Sequence, residues 1–166
     1  MLELLIMRHA KSDWGSGPSD DRERPLAQRG VKAAKRMGRF ITKVSGPPDL
    51  VLSSPAVRAC TTAKLASKAG KWNVEVEIVP GFYGGMWSDV VDGVLGRVGS
   101  AERVLVVGHE PTWSHLVSVL TGGGNVAMPT AALACVGVIG TSWSRLGPNC
   151  GELQWHVTPR LLKAVM

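Results

Sequence analysis

Cysteine is scarce in this sequence: the three residues are Cys60, Cys135 and Cys150, and their spacing is irregular. An odd, sparse set argues against a disulfide framework and fits a reduced, cytoplasmic protein. None of the three is followed by an arginine six positions later, so no Cys-x5-Arg loop is present. This argues against a phosphatase that uses a cysteine nucleophile.

Long apolar runs are also missing. No stretch of 18 or more uncharged apolar residues occurs, so the sequence predicts no transmembrane helix and no membrane partner. The first apolar run is interrupted by Glu3 and ends at Arg8, unlike a secretory signal. With 166 residues, 45% of them hydrophobic and 19% charged, the chain is expected to form a single globular domain over 1–166.

Acidic residues are fewer than basic ones, with 13 Asp and Glu against 19 Lys and Arg, and the resulting net charge of +6 suits anionic partners. The densest cationic segment contains Arg29, Lys32, Lys35, Arg36, Arg39 and Lys43. Apolar residues recur among them every three or four positions, which predicts an amphipathic helix with a solvated basic face. Apart from Phe40, no aromatic side chain stands among these charges to stack on bases, so no nucleic-acid partner is predicted.

Strand-like and helix-like segments alternate along the chain. Strands are predicted at about 2–7, 49–53, 73–79 and 103–108, and helices at about 26–45, 55–70, 87–98 and 111–121. The turn at 147–151 separates an apolar run at 131–140 from an alternating run at 152–157. This order predicts an α/β fold, a three-layer αβα sandwich with a mostly parallel central sheet and a C-terminal antiparallel hairpin.

Three predicted strand ends carry cationic or imidazole side chains. Arg8 and His9 end the first strand, and His109 follows the strand 103–108. Arg58 lies in the first turn of a helix for which 54–55 (Ser-Pro) predict the N-cap and first helical position. Taken singly, each could be a surface arginine or a structural histidine. Because ligands bind at the carboxyl edge of open α/β sheets, we expect the four side chains to converge there.

Two arginines and two imidazoles at one point would form a cationic pocket whose natural ligand is a phosphoryl group. One imidazole could attack phosphorus, and the other, if protonated, could help to neutralise its oxygens. A zinc site is not predicted, because His109 and Glu110 do not continue into His-Glu-x-x-His: residue 113 is tryptophan. No metal and no cofactor are therefore expected.

The combined pattern resembles the histidine phosphatase superfamily, which includes the cofactor-dependent phosphoglycerate mutases. Residues 8–10 resemble its Arg-His-Gly motif with alanine for glycine, 54–59 its Ser-Pro-x-x-Arg-Ala segment, and 108–111 its second-histidine motif. More narrowly, 7–12, 24–26 with 29–30, and 108–111 resemble SixA-type phosphohistidine phosphatases. The matching segments extend from residue 1 to about residue 120.

The resemblance implies a role for each pocket residue. His9 would be the nucleophile, and Arg8, Arg58 and His109 would bind the phosphoryl group. The surrounding cations should lower the pKa of His9 and keep it neutral, and a backbone acceptor would set its tautomer. His9→Ala should then abolish turnover and leave the fold intact.

The loop 12–24 is predicted to form part of the pocket rim. Lys11, Ser12 and Arg24 are its predicted substrate-binding residues. Trp14 could belong to the rim or simply pack against the protein.

A general acid is harder to assign. The related mutases place a glutamate in mid-chain, whereas residues 80–89 here contain none. The remaining candidates are Asp13, Asp21, Asp89 and Glu110, and for Asp89 the start of a helix is the favoured explanation. An alkoxide leaving group needs a proton more than imidazole leaving from a protonated phosphoramidate, so a weak acid favours P–N substrates.

The sequence therefore predicts a metal-independent phosphatase that forms a phosphohistidine intermediate on His9. Its expected substrate is phosphohistidine in a phosphorylated protein. A phosphatase for a small phosphate ester is the alternative enzyme. A non-catalytic phosphoryl-binding module is the alternative from another class.

Overall fold

A six-stranded sheet organises the fold. The computed structural model describes residues 1–15, 17 and 19–166. The strands are β1 (Leu2–Arg8), β2 (Leu50–Ser53), β3 (Val76–Ile78), β4 (Arg103–Gly108), β5 (Leu133–Val138) and β6 (Gly151–Val157), in the order β3-β2-β4-β1-β5-β6. The strands β3, β2, β4 and β1 are parallel, whereas β5 and β6 pair antiparallel. The predicted mostly parallel sheet with a C-terminal antiparallel hairpin is confirmed.

Helices cover both faces of this sheet. They are α1 (Gln28–Val44), α2 (Val57–Gly70), α3 (Trp87–Leu95), α4 (Thr112–Leu120) and α5 (Pro159–Val165). Successive strand residues point to opposite faces. Leu5 and Met7 of β1 therefore pack with α1, α2 and α5, whereas Leu4 and Ile6 pack with α3 and α4. The predicted three-layer sandwich is thus present, with a separate apolar core on each side of the sheet.

The helix α1 has the predicted amphipathic character. Ala34, Met37 and Ile41 are fully buried on one side, and the basic residues face outward. Gly38 lies where α1 crosses α2, and a Cβ at this position would be 2.1 Å from the carbonyl oxygen of Ala66. Glycine is required there because the two helix backbones meet at van der Waals distance.

The start of α2 and the presence of α5 differ from the sequence prediction. The helix α2 begins at Val57 with Ala56 as its N-cap, so Ser54 and Pro55 do not occupy the predicted N-cap and first helical positions. Ala56 is extended, and the Ser54 hydroxyl accepts a hydrogen bond from its N–H, which gives a turn before the helix. The helix α5 was not predicted, although the Thr-Pro pair that begins it at 158–159 is a common helix start.

No helix within 1–15, 17 and 19–166 has the length and apolarity that crossing a membrane requires.

Candidate active site

The three central strands end at the same edge of the sheet. Arg8 on β1 is paired with Gly108 on β4, and the backbone N–H of His9 donates to the Gly108 carbonyl at 2.9 Å. On the other side of β4, the N–H of Ser54 donates to the Val107 carbonyl at 3.0 Å. The segments that follow the three strands therefore start side by side, as expected for parallel strands.

A cleft of about 530 Å³ lies at this edge. Its lining consists of Arg8, His9, Lys11, Ser12, Trp14, Arg24, Arg58, Tyr83, Gly84, His109, Glu110 and Thr130. Every side chain that the sequence predicts for catalysis or substrate binding is in this set. The structure thus brings them together in one place, while their individual roles remain predictions.

A buried hydrogen-bond chain determines the tautomer of His9. Its Nδ1 lies 2.7 Å from the Ala10 carbonyl oxygen, which can only accept, so Nδ1 carries the hydrogen. The Ala10 N–H donates to Thr62 Oγ1 at 3.0 Å, and that hydroxyl donates to the Arg58 carbonyl at 2.6 Å. Nε2 of His9 keeps its lone pair, toward which Nε of Arg58 donates at 3.4 Å.

Burial is the main reason why His9 is neutral. Its pKa is lowered to about 3, first by burial and then by His109, Arg58 and Arg8, while the hydrogen bond to the Ala10 carbonyl acts in the opposite direction. The sequence analysis predicted a lowered pKa from the surrounding cations alone, and the structure adds desolvation as the larger cause. An imidazole in this state can act as a nucleophile at neutral pH.

His109 stands next to His9 and is held by a serine. The centroids of the two rings are 5.1 Å apart. Nε2 of His109 is 2.7 Å from Ser54 Oγ, and Nδ1 is 3.5 Å from Nη2 of Arg58. Because Arg58 can only donate, this arrangement favours hydrogen on Nε2, directed to Ser54. Sequence reasoning assigned Ser54 to a helix cap and missed this contact.

The same burial keeps His109 neutral in the free protein. Its pKa is lowered to about 4 by burial and then by Arg58. The glycine before it has a packing reason: a Cβ on Gly108 would be 2.2 Å from the ring of Trp113, which is fully buried beneath the site. Because position 108 has no side chain, the Trp113 ring can pack against the end of β4, directly before His109.

Arg8 and Arg58 supply the fixed positive charge of the cleft. Arg8 donates from Nη1 to the Met128 carbonyl at 3.0 Å, and within the described residues its buried Nε has no hydrogen-bond partner. Burial lowers the pKa of Arg8, and the charge of Glu110 acts in the opposite direction. Arg58 is only 5% exposed, so its guanidinium group is held by protein contacts rather than by solvent, whereas Arg8 is half-buried.

Asp21 is an unexpected partner of Arg58. Its Oδ2 lies 2.9 Å from Nη2 of Arg58 and accepts from the Tyr83 hydroxyl at 2.9 Å, while Oδ1 lies 2.8 Å from Nη2 of Arg24. The hydrogen bond from Arg24, followed by those from Tyr83 and Arg58, holds the pKa of Asp21 well below its usual range. Asp21 therefore stays ionised, and it is unsuited to donate a proton at neutral pH.

Each of the other three general-acid candidates accepts a hydrogen bond from a nearby backbone N–H. Asp89 accepts from the N–H of Met86 at 2.6 Å, which confirms its predicted place at the start of a helix. Glu110 accepts from the N–H of Ser114 at 2.7 Å, and it also lines the cleft. Asp13 accepts from the N–H of Gly15 at 2.9 Å. Of these three carboxylates, only that of Glu110 belongs to the lining of the cleft.

The predicted rim is built around Arg24. The side chain of this buried arginine donates to the hydroxyl of Ser12 and stacks on the ring of Trp14, with its guanidinium carbon 3.7 Å from the ring centroid. Trp14 is 72% exposed, so it covers Arg24 from the solvent side and belongs to the rim. Residues 16 and 18 of the predicted loop 12–24 lie outside the described residues.

Metal ligands are not grouped in the part of the chain that is described. There, no three or more His, Cys, Asp and Glu side chains form a cluster that could hold a metal ion. The three cysteines are free thiols, Cys135 and Cys150 being buried. Burial raises the pKa of Cys135 to about 12, which leaves this thiol protonated and inert.

Comparisons with known proteins agree with this geometry. The sequence profile of the histidine phosphatase superfamily (branch 1) matches residues 4–84. An uncharacterized protein of Mycobacterium tuberculosis, Rv1276c, is 33% identical over 165 residues, which cover 93% of this chain and 100% of that protein.

Solved structures show the same fold over nearly the whole chain. A candidate phosphohistidine phosphatase SixA from Nakamurella multipartitia matches with a TM-score of 0.81 and 25% identity, covering 95% of this chain and 96% of that one. The protein histidine phosphatase SixA complexed with tungstate matches with a TM-score of 0.83 and 24% identity, and the match covers 97% of this chain and 99% of that one. A phosphoserine phosphatase mutant from Entamoeba histolytica matches with a TM-score of 0.67 and 14% identity, and the match covers 96% of this chain and 98% of that one.

The αβα sandwich, the matching superfamily profile and the likeness to solved phosphatases together indicate a phosphatase. The chain belongs to the histidine phosphatase superfamily, and it is of SixA type.

Proposed function

We propose that this protein removes phosphoryl groups from phosphohistidine in a partner protein, through a covalent phosphohistidine intermediate on Nε2 of His9. One observation carries the proposal: the hydrogen bond from Nδ1 to the Ala10 carbonyl leaves Nε2 as a buried, unprotonated lone pair beside Arg58. The likeness to the SixA structure from Nakamurella multipartitia supports a P–N substrate.

In the first step, the Nε2 lone pair of His9 attacks phosphorus. The P–N bond to the substrate imidazole breaks, and its electron pair returns to that ring, which leaves neutral if its other nitrogen already carries a proton. Arg8 and Arg58 neutralise the phosphoryl oxygens, and the free Nε–H of Arg8 is suited to such a contact. The phosphoryl dianion would also raise the pKa of His109 from its low resting value, so that it becomes a further cation.

In the second step, water attacks phosphorus of the phosphorylated His9. A P–O bond forms as the P–Nε2 bond breaks, the electron pair returns to Nε2, and the inorganic phosphate that leaves carries both protons of the water. Because Nδ1 keeps its hydrogen bond to Ala10 throughout, His9 returns to its starting tautomer. The step requires water and the residues already described, and it needs no other reactant.

The proposal also assigns 1–166 to a single domain that works in the cytoplasm. One continuous sheet from Leu2 to Val157 supports the single domain. The free thiols of Cys60, Cys135 and Cys150 fit a reducing compartment.

Phosphate release from a phosphohistidine-bearing protein, compared with an aryl phosphate at equal concentration in EDTA, tests this function. We expect preferential, EDTA-resistant release from phosphohistidine by the wild-type protein and none by His9→Ala. A circular dichroism spectrum like that of the wild type would show that the variant is folded. Full activity of His9→Ala would exclude His9 as the nucleophile.

A small-phosphomonoester phosphatase is the second candidate, and Glu110 is the observation that favours it. Its carboxylate lines the cleft and could protonate an alkoxide or phenoxide leaving group. Preference for the aryl phosphate, together with loss of that activity in Glu110→Gln, would support this candidate. Binding of phosphate without turnover of either substrate would indicate a non-catalytic phosphoryl-binding module.

A further inference from the structure

The charges of this protein are segregated between its two helical layers. The helices α1, α2 and α5 carry eleven of the 19 Lys and Arg residues and none of the 13 Asp and Glu residues. The rest of the chain therefore has eight cations and 13 acids. In the opposite layer, α3 has two aspartates and no Lys or Arg, and α4 has neither sign. The net positive charge of the protein thus resides on one face.

The cations of this face are available for a partner. Of those eleven residues, Arg58 alone belongs to an ion pair within the described part of the chain, and it points into the cleft. The other side chains are mostly exposed. A groove of about 260 Å³ runs between α1 and α2, and its lining includes Lys35, Arg39 and Lys68 and no acidic residue.

This basic face begins at the cleft. The first turn of α1 packs against the strand end that carries the site: a Cβ on Gly30 would be 2.2 Å from the Lys11 carbonyl oxygen. The first turn of α2 carries Arg58. With 17 residues α1 is about 25 Å long, so its cations extend from the cleft across the face.

We propose that the α1–α2–α5 layer docks an acidic protein surface and so delivers that protein's phosphohistidine to the cleft. The inference rests on the proposed function and names the kind of partner that it requires. Charge complementarity of this kind raises the rate of encounter and fixes the orientation of the two proteins.

Two other polyanions fit the face less well. A nucleic acid would gain from exposed aromatic residues, but Phe40 of α1 packs edge-to-face on Trp155 at 5.4 Å. An anionic membrane surface favours large apolar side chains among the cations, but those exposed on this layer, Val44 of α1 and Leu161 and Val165 of α5, do not line the groove that contains Lys35, Arg39 and Lys68. An acidic protein needs neither feature.

Two synthetic phosphohistidine peptides test the proposal. They share one sequence around the phosphohistidine and differ in a tail of eight residues, Glu in one and Gln in the other. Such a tail spans about 26 Å when extended, the length of α1. For the wild-type protein at about 50 mM salt, we expect kcat/KM about tenfold higher for the Glu peptide, through KM, and a smaller preference at about 500 mM salt.

Charge reversal localises the effect. The triple variant Lys35→Glu, Arg39→Glu, Lys68→Glu should lose the preference while its activity on the Gln peptide and on an aryl phosphate is unchanged. Arg39→Glu alone should lower the preference by about twofold to threefold. Arg145→Glu is the matched control, since it makes the same charge change at an exposed arginine outside the three helices, and it should keep the preference.

Binding of the unphosphorylated peptides, followed by fluorescence anisotropy, separates this inference from the proposed function. Tighter binding of the Glu peptide that the triple variant loses would support docking even if neither phosphopeptide were hydrolysed. Equal binding of both peptides would overturn the docking proposal even if both were hydrolysed. Tighter binding of a DNA duplex or of phosphatidylserine vesicles than of the Glu peptide, lost in the same variant, would overturn it in favour of those partners.

Discussion

The two neutral histidines of the cleft should make this protein sensitive to mild acid. The pKa of His9 is about 3 and that of His109 about 4, whereas both are near 6.5 in an unfolded chain. As the pH falls below about 6.5, the unfolded chain binds a proton at each position and the folded chain does not. Because the unfolded state then holds more protons, the free energy of unfolding decreases as the pH is lowered.

The size of the effect follows from the same values. At about pH 5, about 1.5 pH units below the unfolded pKa, each histidine removes about 2 kcal/mol from the free energy of unfolding, and the pair removes about 4 kcal/mol. A typical domain has a total of about 5–15 kcal/mol, so this loss is a large share. Above about pH 7.5, neither histidine contributes.

Urea unfolding at about pH 8 and about pH 5, followed by tryptophan fluorescence, measures the difference. Asn is the replacement for each histidine because its side chain does not titrate. At position 9 its amide N–H can still donate to the Ala10 carbonyl. We expect His9→Asn and His109→Asn each to lose about 2 kcal/mol less than the wild type between the two pH values, and the double variant about 4 kcal/mol less. A double variant that loses as much stability as the wild type would refute the reasoning.

Three further substitutions test the supports of the site. Thr62→Val leaves the buried N–H of Ala10 without an acceptor, so it should lower the free energy of unfolding by about 1–3 kcal/mol in urea and lower kcat in steady-state kinetics. Thr62→Ser keeps the acceptor and should retain both the stability and the kcat of the wild type. Gly38→Ala should destabilise the protein by about 2 kcal/mol in urea unfolding, because overpacking against α2 outweighs the gain in helix propensity of about 1 kcal/mol. Asp21→Asn removes the carboxylate beside Arg58, so inorganic phosphate should inhibit about fivefold more strongly; unchanged or weaker inhibition would contradict this electrostatic argument.

Much of the fold and of the cleft could be predicted because the relevant signals are local. Buried parallel strands have nearly continuous apolar runs, so β1 and β4 could be predicted, and the residues that follow them had to lie at the ligand edge. Arg8, His9 and His109 were located in this way. The helix α5 could have been found from Thr158 and Pro159, because a cap and a proline at the first position are local signals too.

Only the tertiary structure decided which side chains contact one another across the loops. Asp21 reaches Arg58 across 37 positions and Tyr83 across 62, and Thr62 reaches Ala10 across 52. Loop segments have no periodicity from which such contacts could be calculated, since their paths depend on how the strands are ordered.

The sequence by itself determined which chemical groups the protein has, and on which elements they lie. It also determined that the cations are concentrated in α1, because charge is a property of composition. The structure decided that Nε2 of His9 is the free nitrogen, since that choice depends on where the Ala10 carbonyl points. It likewise decided that α1, α2 and α5 share one side of the sheet, because the strand order and the handedness of the connections determine on which face each helix packs.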